Sequence, residues 1–211
     1  MKKILTVPYI DQSVRYPTGC ESVSAVMMLR YLGYDISVDT FIDEFLDKRA
    51  MEVRDGQLYG PDPREYFCGS PYDEDSFGCY IPVMIRALTK AAGDRFSFVD
   101  ETGTPVSDLL KKYIDQDMPV LFWACINMEK EIIGPQWKLF DTKETFTWRS
   151  NEHCMVLVGY DEDGYYFNDP YDNHGLIRYD KALTEARHEA QYGMACGISH
   201  CLCNEKYHSQ K

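Results

Sequence analysis

One segment near the N-terminus constrains the chain more than any other. Cys20 to Tyr31 (CESVSAVMMLRY) is apolar nearly all round when wound as a helix, with Val23, Val26, Met27, Met28 and Leu29 spread over several faces. A helix without a polar face belongs inside a protein, so the rest of the chain has to be built around it. Its first residue is a cysteine, and the turn-forming Pro17-Thr18-Gly19 leads the chain directly into it. The sulfur is therefore expected at the exposed tip of a buried rod.

What surrounds the rod changes character along the sequence. Phe41, Ile42, Phe45 and Leu46 recur at helical spacing, as do Val83, Met84, Ala87 and Leu88, and then Leu109, Leu110, Tyr113 and Ile114. Pro82 and Pro105 suit the first turn of the latter two helices, where a missing N–H costs nothing. Strand-like runs follow at Met118 to Ile126, Thr145 to Trp148, Cys154 to Tyr160, Tyr165 to Asn168 and Ala195 to Leu202. Helices first and strands second predict an α+β fold with an antiparallel sheet. With 211 residues and no repeat or linker, a single domain over 1–211 is expected, helical to about 117 and sheet-forming from about 118 to 205. Met51 to Tyr80, rich in Gly, Pro, Asp and aromatics, reads as a long ordered loop that covers one side of a site. Of its aromatics Tyr59, Tyr66, Phe67, Tyr72, Phe77 and Tyr80, most are expected to pin the loop to the body.

Charge and cysteine usage exclude several functions. The net charge of −12, with no local Lys/Arg cluster, argues against nucleic acid as a partner and leaves peptides or small amides, cationic ones included, as ligands. The longest apolar runs fall far short of the roughly 20 residues that span a bilayer. The basic start Met1-Lys2-Lys3 leads into an apolar run too short for a secretory signal, so the chain as it stands is expected in the cytoplasm, or outside the cell if a leader has been trimmed. Eight cysteines are spread too thinly for a disulfide framework and read mostly as buried thiols, with Cys68 and Cys79 as a possible pair after export. Cys196, His200, Cys201 and Cys203 lack the usual zinc spacing, so neither a metal nor a cofactor is expected.

A cysteine in the first turn of a helix faces free N–H groups that favour a thiolate, and Glu21 beside it opposes that effect. A nearby histidine has to contribute. His153 stands at the mouth of the apolar strand Cys154-Met155-Val156-Leu157-Val158, whereas His174, His188, His200 and His208 lack such a setting. The two together are expected to hold Cys20 below its ordinary pKa. The chain turns at Asp161-Glu162-Asp163-Gly164, and the returning strand carries Asn168 and Asp169 toward the same rim. A turn centred near Asp161 sets Asp169 opposite His153. One at Asp163-Gly164 leaves it short unless a bulge intervenes, and Asn168 points to the other face in either case. Asp169 is thus the orienting group for the imidazole. Gln12, close before the nucleophile, can join the Cys20 backbone N–H as a donor to a developing oxyanion.

These residues carry a family resemblance. Val7-Pro8-Tyr9-Ile10-Asp11-Gln12, Tyr16-Pro17-Thr18-Gly19-Cys20-Glu21-Ser22, Glu152-His153-Cys154, Gly159-Tyr160-Asp161 and Asn168-Asp169-Pro170 together resemble the bacterial cysteine peptidase-like proteins related to bacteriocin leader peptidases, from about Val7 to Cys196. The resemblance implies a papain-like fold, in which a helical part holding the catalytic helix packs on an antiparallel sheet. It implies Cys20, His153 and Asp169 as a triad with Gln12 at the oxyanion hole, and a thiol hydrolase that cleaves an amide or peptide bond through a thioester. Acyl transfer by the same Cys-His pair and a non-catalytic binding module are the alternatives. The interval from Gln12 to Cys20 is wider than in typical leader peptidases and no transporter domain follows, so cleavage of double-glycine leaders is not implied.

Overall fold

The structure, a computed structural model, describes residues 2–200. In chain order it holds β1 (Lys3–Ile4), α1 (Cys20–Tyr31), α2 (Val38–Thr40), β2 (Lys48–Arg49), β3 (Glu52–Arg54), β4 (Gln57–Gly60), β5 (Phe67–Cys68), α3 (Ile81–Ala92), β6 (Phe96–Asp100) and α4 (Val106–Lys112). The second half adds β7 (Val120–Cys125), β8 (Ile133–Leu139), β9 (Thr145–Arg149), β10 (Glu152–Tyr160), β11 (Gly164–Asp169), β12 (Gly175–Asp180), α5 (Lys181–Ala190) and β13 (Ala195–His200).

The main sheet runs β12-β11-β10-β7-β13-β6, with β1 added beside β10, and its pairings are antiparallel. The expected α+β layout is present. Segregation is incomplete, because β6 lies between two helices and returns to pair with β13, while α5 sits among the late strands. β7 and nearly all of β10 are buried, consistent with the apolar runs of β7 and of β10 from Cys154 onward. Against them lies α1, buried from Cys20 through Leu29, with the Ser24 hydroxyl donating to the Cys154 carbonyl at 3.0 Å. The rod is therefore locked to the strand that begins at Glu152 and His153.

Met51 to Tyr80 is not a loop throughout. A hairpin of β3 and β4 turns at Asp55-Gly56, β4 runs parallel to β8, and β8 pairs with β9, making a second sheet of four strands. The Trp137 indole donates to the Pro61 carbonyl at 3.0 Å, and Trp137, Phe77, Phe146, Trp148 and Tyr80 form one aromatic cluster. Phe67 is buried, and the Tyr72 hydroxyl donates to Asp39 at 3.1 Å, so pinning is the role of most of these rings. The six cysteines among the described residues are free, Cys68 and Cys79 included. Cys201 and Cys203 of the weak zinc motif lie outside the described residues. Among the described residues no helix is long and apolar enough to cross a membrane.

Candidate active site

Cys20 opens α1 at one end of a cleft of about 370 Å³, whose walls include Gln12, Cys20, Phe77, Trp148, Glu152, His153 and Tyr171. Three of the four residues singled out in the sequence thus meet in one cavity. The wide interval between Gln12 and Cys20 is taken up by a compact pair of turns. Tyr16 N–H donates to the Gln12 carbonyl at 2.8 Å and Gly19 N–H to the Tyr16 carbonyl at 2.9 Å. A Cβ on Gly19 would meet Tyr16 Cβ at 2.7 Å, so glycine is required for that return. The Gln12 backbone N–H is tied to the Pro170 carbonyl at 3.0 Å, next to Asp169. One hydrogen of its side-chain amide goes to the Pro17 carbonyl at 3.3 Å. An amide nitrogen carries two hydrogens, so the second is left for the cleft.

The fourth residue lies behind His153. His153 Nε2 and Asp169 Oδ1 are 2.7 Å apart, both side chains are buried, and Tyr171 packs edge-on against the imidazole. A local irregularity makes this contact possible. The hairpin pairs Tyr160 with Tyr165 and Gly159 with Tyr166, then slips by one residue so that Leu157 faces Phe167 and Val156 faces Asn168. Without the bulge, Asp169 would stand level with Val156 and point away from the histidine. With it, Asp169 falls one step beyond the Val156–Asn168 pair, on the face that carries His153, and the imidazole spans the remaining stagger. Gly159 at the slip lets β1 approach, since a Cβ there would lie 2.3 Å from the Lys3 carbonyl oxygen. Asn168 points to the opposite side and donates to the Val7 carbonyl at 2.9 Å.

Burial alone would raise the Asp169 carboxyl. The charge and hydrogen bond of His153, the His174 imidazole (3.1 Å) and the Tyr171 backbone N–H (3.0 Å) outweigh it and hold the group at about 2. The Tyr179 hydroxyl is a further donor at 3.2 Å. The sequence reading set His174 aside because it flanks no apolar strand. Its position five residues after Asp169, across a short 3₁₀ turn, was the available signal.

The thiol overturns one expectation. Cys20 is pushed well up, not down, by burial first and then by Glu21 and Glu152. Its S–H donates to Glu21 Oε2 at 3.2 Å, while Glu21 Oε1 accepts from the Cys79 backbone N–H at 2.7 Å. Burial raises Glu21 despite those bonds, and burial together with Glu21 raises Glu152, with the Trp123 indole partly offsetting it. Gly78 closes over both carboxyls, since a Cβ there would lie 2.5 Å from Glu21 Oε1 and 3.1 Å from Glu152 Oε2. Donor atoms of Cys20, Glu21 and Glu152 lie within 4.8 Å of one another, a set that could hold a metal ion and that the sequence reading did not bring together. Glu74 to Phe77 form one wall of the cleft, so the end of the 51–80 segment does stand beside Cys20.

Comparison with known proteins agrees with this architecture. A 157-residue stretch is 27% identical to the uncharacterized protein YvpB of Bacillus subtilis, covering 74% of this chain and 60% of that protein. The matched stretch thus spans less than two thirds of its relative. The fold superposes with a TM-score of 0.81 and 25% identity on the crystal structure of a Bacillus anthracis protein assigned as a C39-like peptidase, over 94% of this chain and 98% of the other, and that likeness identifies the α+β architecture as papain-like. The model of the Peptidase_C39 like family matches residues 4–196, nearly the whole of the described chain. This chain belongs to the Peptidase_C39 like family.

Proposed function

We propose that the protein is a thiol hydrolase that cleaves an amide or peptide bond, with Cys20 as nucleophile, His153 as base and acid, Asp169 as the group that orients the imidazole, and Gln12 as an oxyanion donor. The observation that carries this reading is the 2.7 Å bond between His153 Nε2 and Asp169 Oδ1, which leaves Nδ1 as the imidazole atom available to the cleft shared with Cys20. An anionic Asp169 favours the tautomer with hydrogen on Nε2, so Nδ1 carries the lone pair.

In the reaction, the Cys20 S–H turns from Glu21 Oε2 toward His153 Nδ1, which takes its proton, and the sulfur attacks the substrate carbonyl. The oxygen that becomes negative accepts from the Gln12 amide and from the Cys20 backbone N–H, which at the first turn of α1 has no intrahelical acceptor. The imidazolium then protonates the amine as the C–N bond breaks, leaving a thioester on Cys20. Water, giving a proton to His153, attacks that thioester and releases the acid and the free thiol. Asp169, held at about 2, stays ionised throughout and stabilises each imidazolium.

The test is a proteome-derived peptide mixture incubated with wild-type protein or with Cys20→Ala, followed by mass-spectrometric search for new termini. New termini that require Cys20 support the hydrolase. Identical termini in both samples overturn it, and products capped by an added amine in place of water would assign acyl transfer.

A further inference from the structure

The proposed chemistry gives Glu21 no part, yet this carboxyl holds the nucleophile. Glu21 is the second residue of α1 and is fully buried. Its Oε2 accepts the Cys20 S–H at 3.2 Å and its Oε1 accepts the Cys79 backbone N–H at 2.7 Å. Two accepting oxygens are what an ionised carboxyl offers. The group has little freedom to swing aside, because Cys79 ties one oxygen and the chain at Gly78 closes over it, where a Cβ would lie 2.5 Å from the same Oε1. The resting thiol is therefore bonded to Glu21, whereas attack requires its proton on His153.

A carboxylate at this distance opposes a thiolate, but it does not oppose every route to the thioester. When attack and proton transfer coincide, the S–H bond breaks, its proton passes to His153 Nδ1, the S–C bond forms and the carbonyl pair moves onto oxygen. The sulfur is neutral before and after, and charge appears on the imidazolium and the oxyanion alone. Glu21 attracts the imidazolium. A free thiolate–imidazolium pair would instead put a full negative charge beside Glu21, where burial already disfavours it. The carboxyl thus separates two routes of which only one charges the sulfur.

We infer that Glu21 is a positioning residue that keeps Cys20 a neutral thiol in the resting site, so that its proton leaves for His153 together with attack on a bound carbonyl and not before it. The inference rests on the hydrolase reading, with Cys20 as nucleophile and His153 as base. It also bears on selectivity. Reagents that need only a thiolate are held back, while a substrate seated against the Gln12 amide is not.

Two measurements on the intact protein test it. Both are made at pH 8, above the value of about 7 to which burial raises Glu21, with EDTA present to keep metal ions off Cys20, Glu21 and Glu152. The first is the infrared S–H stretch of Cys20, isolated as the difference between wild type and Cys20→Ala. A band is expected in the wild type, moving to higher frequency in Glu21→Gln because an amide accepts more weakly than a carboxylate. A wild type without a Cys20 S–H band holds the thiolate at rest and overturns the inference, whether or not Glu21→Gln folds. The second measurement compares rates in Glu21→Gln with the wild type. Iodoacetamide alkylation of Cys20, read by mass spectrometry, should rise about three- to thirtyfold. Removing the charge raises the thiolate population about ten- to a thousandfold, and lower nucleophilicity takes back about half of that on a logarithmic scale. By contrast, kcat/KM for a quenched fluorescent peptide built on the termini that require Cys20 should fall about two- to tenfold, because the imidazolium loses an attractive charge. A kcat/KM that rises in step with alkylation would make the ion pair the working state and overturn the inference, as would an alkylation rate that does not move. If the wild type cleaves no peptide, the hydrolase reading fails by itself, and the S–H band and the alkylation ratio still decide what Glu21 does to the thiol.

Discussion

Asp169→Asn isolates the interaction on which the proposed chemistry depends. The carboxyl sits at about 2 in the folded chain against 3.8 for a free side chain, a gap of nearly two at about 1.36 kcal/mol for each, so its bonds stabilise the fold by about 2 kcal/mol at neutral pH. Because the folded value is the lower one, that contribution is fully present above about pH 4 and is lost as the pH falls toward 2. Asparagine keeps the shape but turns one oxygen into an N–H₂ group. The site offers donors on both sides, from His153 and Tyr171 to Oδ1 and from His174 and Tyr179 to Oδ2, so a donor meets a donor whichever way the amide is turned. Urea unfolding at pH 7 should show the variant less stable by about 2 to 3 kcal/mol, with the difference shrinking as the pH is lowered to about 3. Turnover should fall by about 10² to 10⁴, since an amide turned toward Nε2 favours the tautomer with the proton on Nδ1, which cannot accept from Cys20. A variant within about 0.5 kcal/mol of the wild type at pH 7, with the same acid limb, would refute the account of this site.

Gln12→Ala should lower turnover by about 10²- to 10³-fold while leaving the unfolding midpoint and Cys20 alkylation unchanged, as expected for one oxyanion donor. Glu21→Gln should make the Cys20 thiol more acidic, so that alkylation by iodoacetamide at pH 7 speeds up; an unchanged rate would show that burial alone raises the thiol. His174→Ala removes one of the two donors to Asp169 Oδ2 and should cost about 1 kcal/mol in urea unfolding, with turnover reduced by less than about tenfold. Shortening the wall between Ser70 and Ser76 should widen the range of peptides cleaved without abolishing Cys20 alkylation. Excision from Asp62 onward would instead remove β5 and disturb the chain beside Pro61, the acceptor for Trp137, and should unfold the second sheet.

Much of the frame was legible in the sequence because it depends on local periodicity. The apolar run from Cys20 fixes a buried helix, and the apolar runs at Val120–Cys125 and from Cys154 to Tyr160 fix the strands it packs on. Other elements gave too weak a signal. β8 is interrupted by Gly134-Pro135, β12 alternates on a half-exposed edge, and α5 buries only Thr184 and His188, so its sequence reads as polar. β4 and β8 recognise each other across about eighty residues of chain, and no window of either sequence contains that pairing.

The sequence by itself determined that a cysteine would head a buried helix, that a histidine would begin the strand beside it, and that an acid would return on the neighbouring strand, because helix burial and strand alternation are written in each segment's own residues. Only the tertiary structure decided that the acid meets the histidine and that the histidine shares a cleft with the cysteine. A one-residue slip between Leu157 and Gly159 turns Asp169 onto the face of His153, and a parity of that kind is set by cross-strand pairing, not by composition. The closing of Gly78 and Cys79 over Glu21 and Glu152 likewise decided the state of the thiol, which burial and two carboxyls raise where the helix terminus alone would lower it. Desolvation depends on what the whole fold excludes from water, and no local stretch of sequence records that.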